Sequence, residues 1–159
     1  MTAAMERGMT TLAVGLALGQ QTLAEVTGMT QEQALEIARK GEALARAGRL
    51  EEAKVLFEGL VACNPRDPGC HAALGTLHEK LGQRQLAWDA FDRALALEPT
   101  HPVAALGRGE LRLRVGDVRG IEDIRRAADA DPAGRTATGR RAGALLAVLN
   151  EVGGAVAAP

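Results

Sequence analysis

The sequence predicts an all-α protein, a solenoid of three helix-turn-helix repeats with a further helix at each end. The first observation is composition, because the 159 residues include 31 Ala and 21 Leu but only three aromatic residues. Ala and Leu are strong helix formers, whereas a sheet protein of this size needs many β-branched and aromatic residues. The second observation is a pattern of small residues and prolines that recurs every 34 residues. A fixed period of this length is typical of repeat architectures.

The repeat consists of glycines, other small residues, aromatic residues and prolines at fixed offsets. The first glycine lies inside a predicted helix, where it costs about 1 kcal/mol relative to alanine, so two helices are expected to approach closely there. The second glycine follows a predicted helix, and helices commonly end on such a left-handed residue. Proline ends each second helix, because the residue before proline avoids the α region. The recurring sets are Gly41, Gly75 and Gly109; Gly48, Gly82 and Gly116; Ala53, Ala87 and Ile121; Phe57 and Phe91; Leu60, Ala94 and Ala128; and Pro65, Pro99 and Pro132, the last one residue early.

This pattern resembles the tetratricopeptide repeat, a 34-residue pair of helices with small residues, an aromatic residue and a proline at these offsets. The resemblance implies three units, at residues 34–67, 68–101 and 102–135. The third unit carries Arg108 and Arg112 at positions that are normally buried. We therefore expect this unit to be the least regular and the least stable.

Both ends of a solenoid need a cap, because each unit buries its faces on its neighbours. Residues 1–33 are predicted to form a helical segment, since Leu12 and Leu16 belong to one apolar stripe at helical spacing. The alternative is that Leu12–Gly19 is part of a secretory signal. Thr30, followed three residues later by Gln33, predicts a capping box at the start of the first repeat helix.

Residues 136–159 are predicted to form a capping helix and a tail. An amphipathic helix over residues 135–152 is expected to end at Gly153 and Gly154. The longest apolar run, residues 12–19, is far shorter than the roughly 20 residues that span a bilayer, so no transmembrane helix is expected.

Residues suited to catalysis or metal binding fall in no recognisable arrangement. Cys63, Cys70, His71 and His78 lack the close paired spacing of a zinc site. The sequence contains no serine, and no glycine-rich phosphate loop follows a predicted strand. We therefore expect no enzyme activity, no cofactor and no metal.

Charge also limits the choice of partner. The net charge is −1, which gives no reason to expect nucleic acid or an anionic membrane. Two cysteines in a chain of this size fit a reducing compartment. The arginines of the last third alternate with acidic residues and are interpreted as surface ion pairs. Adjacent acids such as Glu122 and Asp123 are interpreted as solvated helix faces.

A binding surface is predicted on the first helices of the repeats, which line the concave side of such arrays. Unit positions 2, 5, 9 and 12 form one stripe on each of these helices. Ala38 and Glu42 stand where some repeat proteins grip a peptide carboxylate, so we expect an extended apolar peptide instead. The alternative is that a terminal segment of the chain fills the groove. The predicted groove residues are Leu35, Ala38, Glu42, Ala45, Ala72, Thr76, Glu79, Val103, Leu106, Glu110 and Leu113.

Residues 19–124 also resemble the small tetratricopeptide chaperones of type III secretion translocators, which have one helix before three repeats. Shared stretches include TQEQAL at residues 30–35 and GRLEEA at residues 48–53. The resemblance implies a cytoplasmic bacterial homodimer that binds an apolar secreted protein, with dimer contacts through Leu12, Leu16 and Leu23. The chain lacks the tyrosines usual in that groove. The alternative is a scaffold or adaptor subunit of an envelope or secretion assembly, exported if residues 1–19 are a signal.

Overall fold

The structure is a computed structural model and describes residues 22–156. Over this range the chain forms eight α-helices and no strand, which confirms the all-α prediction. None of these helices is long and apolar enough to cross a membrane. The stripe containing Leu12 and Leu16, and the alternative signal, lie outside the described residues. The helices are α1 (Leu23–Thr27), α2 (Gln31–Arg46), α3 (Leu50–Cys63), α4 (Pro68–Lys80), α5 (Arg84–Leu97), α6 (Pro102–Arg114), α7 (Gly120–Asp129) and α8 (Ala137–Val156).

The first of two compact units ends at Asp67 and contains α1, α2 and α3. The predicted capping box is confirmed: the Gln33 amide donates to Thr30 Oγ1 at 3.2 Å, and the Thr30 amide donates to Gln33 Oε1 at 2.9 Å. Gly41 is buried on α2, and a Cβ there would lie 2.7 Å from Cε2 of Phe57 on α3. The close helix approach predicted at Gly41 is therefore also confirmed.

The turn inside each repeat ends on a left-handed glycine. Gly48, Gly82 and Gly116 have φ values of 79°, 75° and 78°. An L-residue with a Cβ is strained at such φ values, whereas glycine adopts them freely. The predicted helix-closing role of this glycine is confirmed in all three repeats.

The second unit begins at Pro68 and contains α4 to α8. Its core is built around Phe91, which is 1% exposed. Cβ atoms on Gly75 of α4 and Gly107 of α6 would lie 2.5 and 2.3 Å from the Phe91 ring. The core residues packed with Phe91 are mostly alanines, and this explains how a chain with so few aromatic residues fills its interior. Small side chains bring the helices close together.

The third repeat departs from the predicted register by one residue. Ile121, the predicted equivalent of the buried alanines on α3 and α5, is only half-buried. Gly120 and Ile124 are buried instead, and Ile124 takes the place that Phe91 has in the preceding repeat. The missing residue therefore belongs to the turn between Gly116 and Gly120, and the predicted equivalence of Ile121 with Ala53 and Ala87 is wrong.

The arginines of the third repeat surround a buried carboxylate. Asp123 is 1% exposed; it accepts hydrogen bonds from Arg108 Nε and Nη2 at 2.9 and 2.8 Å and from Arg112 Nη1 at 2.6 Å. Arg108 also donates to Asp92 at 2.7 Å, and the Arg112 guanidinium lies 5.5 Å from the centre of the Trp88 ring. The interpretation of Asp123 as a solvated residue is wrong, because α7 turns it inward to two half-buried arginines of α6.

The last helix extends further than predicted. It begins at Ala137 and continues through Gly153 and Gly154 to Val156. A glycine costs about 1 kcal/mol inside a helix and does not by itself end one. Its N-terminal cap is Thr136, whose Oγ1 accepts a hydrogen bond from the Gly139 amide at 3.0 Å.

Candidate functional site

A cavity of about 410 Å³ lies in the second unit, bounded by α4, α6 and the first turns of α8. Its apolar lining comes from Phe91, Val103, Leu106 and Gly107. Phe91 and Leu106 also belong to the hydrophobic core, so the floor of the cavity is rigidly supported. Five predicted groove residues line it: Thr76, Glu79, Val103, Leu106 and Glu110.

Two other predicted residues of this unit take part in packing. Ala72 is 1% exposed and belongs to the core, so its assignment to the groove surface is wrong. It lies only three residues before Gly75, where α4 packs most closely against Phe91. Leu113, at the C-terminal end of α6, packs against the same core.

The remaining predicted groove residues lie on α2 in the first unit. Leu35 and Glu42 are exposed there, and Ala38 and Ala45 are half-buried. A separate cavity of about 640 Å³ in this unit lies beside the turn between α1 and α2, where Met29 and Ile37 contribute to its wall. That position is off the predicted stripe, so the α2 residues keep only the status of a prediction.

Sequence reasoning missed the charged residues at the mouth of the cavity. Lys80 and Arg114 lie four residues beyond Thr76 and Glu110, at the end of α4 and of α6, and therefore continue the same helical stripe. The stripe could have been extended to find them. Arg141 comes from α8, together with Ala137 and Thr138, and only the tertiary packing brings them here.

The two carboxylates of the cavity are held in ion pairs. Arg114 Nη2 lies 2.7 Å from Glu79 Oε1 and 3.8 Å from Glu110 Oε2. Arg141 makes a two-pronged contact with Glu110, with Nε at 2.6 Å from Oε1 and Nη2 at 2.7 Å from Oε2. The hydrogen bond and the charge of Glu110 raise the pKa of Arg141. These contacts tie α4, α6 and α8 together around one opening.

The loop before α8 sets the position of this third wall. The Asp131 carboxylate accepts hydrogen bonds from the amides of Arg135 and Thr136, at 3.1 and 2.6 Å, and from Thr136 Oγ1 at 2.8 Å. These bonds stabilise the ionised form and lower the pKa of Asp131. A Cβ on Gly139 would lie 2.5 Å from Asp131 Oδ2, so glycine is needed for the helix to start this close to the carboxylate.

Other chemistry is sparse in residues 22–156. No group of three or more His, Cys, Asp or Glu in this range is arranged to hold a metal ion. Cys63 is half-buried and Cys70 is buried. What the described residues offer is an apolar recess with a charged rim, suited to holding a side chain of a partner.

Comparison with known proteins identifies the fold. The sequence matches no protein-family model and no curated protein. A type III secretion complex from Aeromonas hydrophila has a TM-score of 0.73 at 21% identity, with 88% of this chain and 95% of that chain covered. The translocator chaperone SycD of Yersinia enterocolitica has a TM-score of 0.67 at 16% identity, with 80% and 97% covered. PcrH of Pseudomonas aeruginosa, solved with the chaperone-binding region of PopD, has a TM-score of 0.65 at 23% identity, with 78% and 96% covered. The fold is a helical repeat of the tetratricopeptide type.

Proposed function

We propose that this chain is a non-catalytic chaperone that binds an extended apolar segment of a secreted protein. The observation that carries the proposal is the cavity between α4, α6 and α8. It combines an apolar floor with five residues of the stripe that repeat arrays present to ligands. Its volume lies within the roughly 300–1,000 Å³ usual for binding pockets, which is room for apolar side chains of a bound segment.

The similar structures support a secretion partner. PcrH was determined with the chaperone-binding region of PopD, and SycD with a peptide of the translocator YopD. We expect this chain to cover an apolar segment of a secreted protein in the same way, because such a segment aggregates before export unless another surface covers it. We place the protein in the cytoplasm, where such a segment is made before export.

A homodimer formed through the N-terminal segment belongs to the same proposal. Leu23, the predicted contact residue within the described range, is 38% exposed on α1 and available to a partner. Light scattering on the wild-type protein and on Leu23→Glu is expected to show a dimer that the substitution weakens. A wild-type monomer at all concentrations would remove this part of the proposal.

The experiment that tests the binding function fills the cavity. Short overlapping peptides covering the translocators PopD, PopB and YopD, which occur in the similar structures, are titrated against the wild-type protein and against Thr76→Trp. The indole would occupy the recess, so binding of the best peptide is expected to weaken at least tenfold, or by about 1.4 kcal/mol.

Leu86→Trp is the matched control, because it adds the same side chain at a half-exposed position on α5, away from the cavity lining. This variant is expected to bind like the wild type, and circular dichroism should show equal helicity for all three proteins. Equal binding by Thr76→Trp and Leu86→Trp would contradict the placement of the ligand, and no binding of any peptide would contradict the function.

A further inference from the structure

The rim of the cavity has an asymmetric distribution of charge. It consists of three cations, Lys80, Arg114 and Arg141, and two anions, Glu79 and Glu110. The carboxylate side chains are 19% and 10% exposed, whereas the Arg114 and Arg141 side chains are 47% and 63% exposed. A ligand that approaches the opening therefore meets guanidinium groups first, with the carboxylates largely beneath them.

The ion pairs leave these arginines able to bind a further acceptor. They engage Nε and Nη2 of Arg141 and Nη2 of Arg114. A guanidinium has five N–H donors, so each arginine has other donors to offer to a ligand oxygen. The two glutamates also restrain the arginines, and a restrained guanidinium loses less freedom on binding than a mobile one.

From this arrangement we infer that the cavity selects a particular kind of segment: an apolar side chain that enters the recess, with an aspartate or glutamate beside it in the sequence. The inference rests on the proposed function and specifies its ligand. Arg114 and Arg141 contact the acidic side chain, while Val103 and Leu106 contact the apolar one. A lysine or arginine in place of the acid would face three like charges and be disfavoured.

The test uses three synthetic peptides that differ at one residue. Each contains the best-binding segment from the overlapping set, blocked at both ends so that only side chains carry charge, with Asp, Asn or Lys next to the buried apolar residue. Affinity is expected to fall in that order. Exposed charge pairs contribute modestly, so the Asp peptide should bind about three- to fivefold more tightly than the Asn peptide. The difference should shrink at 1 M salt, where the Debye length is only about 3 Å.

Variants of the rim assign the preference to its residues. Arg114→Gln is expected to reduce the ratio of Asp to Asn affinity towards one, and Arg114→Lys should keep most of it because the charge remains. Glu79→Gln should enlarge the ratio, since it removes a competing carboxylate. The matched control is Arg125→Gln, which deletes an exposed arginine of α7 that pairs with Glu122 at 2.8 Å, and it should leave the ratio unchanged.

The outcomes separate the inference from the function on which it rests. If the Asp and Asn peptides bind equally, or if Arg114→Gln and Arg125→Gln change the ratio alike, the charge selection is wrong and peptide binding still stands. If a peptide with a free C-terminal carboxylate binds more tightly than the blocked peptides whatever its side chains, the rim binds the C-terminal carboxylate and the inference is wrong. If none of the peptides binds, the proposed function itself fails.

Discussion

Replacing Asp123 with asparagine removes the charge at the centre of the arginine cluster on α6 and α7. Breaking a buried ion pair by removing one partner costs about 3–5 kcal/mol, because the other charge is left buried. Arg108 keeps its 2.7 Å contact with Asp92, and Arg112 keeps its position over Trp88. We therefore expect the free energy of unfolding to fall by about 3 kcal/mol, near the lower end of this range. In a chain of this length, such a loss lowers the melting temperature by about 6–12 °C.

The assay is urea and thermal unfolding followed by circular dichroism and by the fluorescence of Trp88. This residue is the one tryptophan of the chain and lies beside the cluster, so it reports on the second unit directly. Glu122→Gln is the control: it makes the same chemical change one residue earlier, where Glu122 is exposed and pairs with Arg125, and should cost less than about 1 kcal/mol. Equal losses for the two variants would refute the assignment of Asp123 to the core.

Two further predictions concern the packing and the loop of the second unit. Gly75→Ala places a Cβ 2.5 Å from the buried Phe91 ring, so we expect overpacking of about 1–3 kcal/mol to outweigh the gain in helix propensity. Gly143 lies on the open face of α8, with no described atom near its Cβ, so Gly143→Ala should instead stabilise the protein by up to about 1 kcal/mol. The free energies of unfolding are measured by chemical denaturation. If both substitutions change this free energy in the same direction, the close approach at Gly75 is contradicted. Asp131→Asn removes a carboxyl whose pKa is lowered in the folded state by its hydrogen bonds with Thr136. In the wild-type protein, the stabilisation by the ionised carboxylate is complete above the unfolded pKa of about 4 and is lost as pH falls through the folded pKa. The variant should therefore be less stable than wild type at pH 7, with the gap closing at more acid pH, and a gap independent of pH in thermal unfolding would refute this role.

Local rules explain most of what the sequence predicts correctly. Gly48 and its equivalents end helices in a backbone conformation that strains any residue with a Cβ, and the Thr30 capping box depends on residues three apart. Such features need no knowledge of the rest of the chain. The periodic glycines that face Phe57 and Phe91 are also predictable, because the period of the repeat places them at helix contacts.

The features that the sequence did not reveal depend on contacts between distant residues. Asp123 looks like one of many surface acids until α6 brings two arginines against it. The early Pro132 shows that the third repeat is one residue short. The place of the missing residue has no local sign, because Gly120 and Ile121 are both plausible at a helix contact. Arg141 reaches the cavity only because α8 packs on the third repeat, 31 residues beyond its partner Glu110.

The proposed function requires that an apolar segment binds between α4, α6 and α8. The most direct measurement is methyl NMR of the protein as the best-binding peptide is added. The largest shift changes are expected on Val103 and Leu106, with little change at the exposed Val118 and Leu86. Changes confined to Val118 and Leu86, with those of Val103 and Leu106 unaffected at saturation, would contradict it.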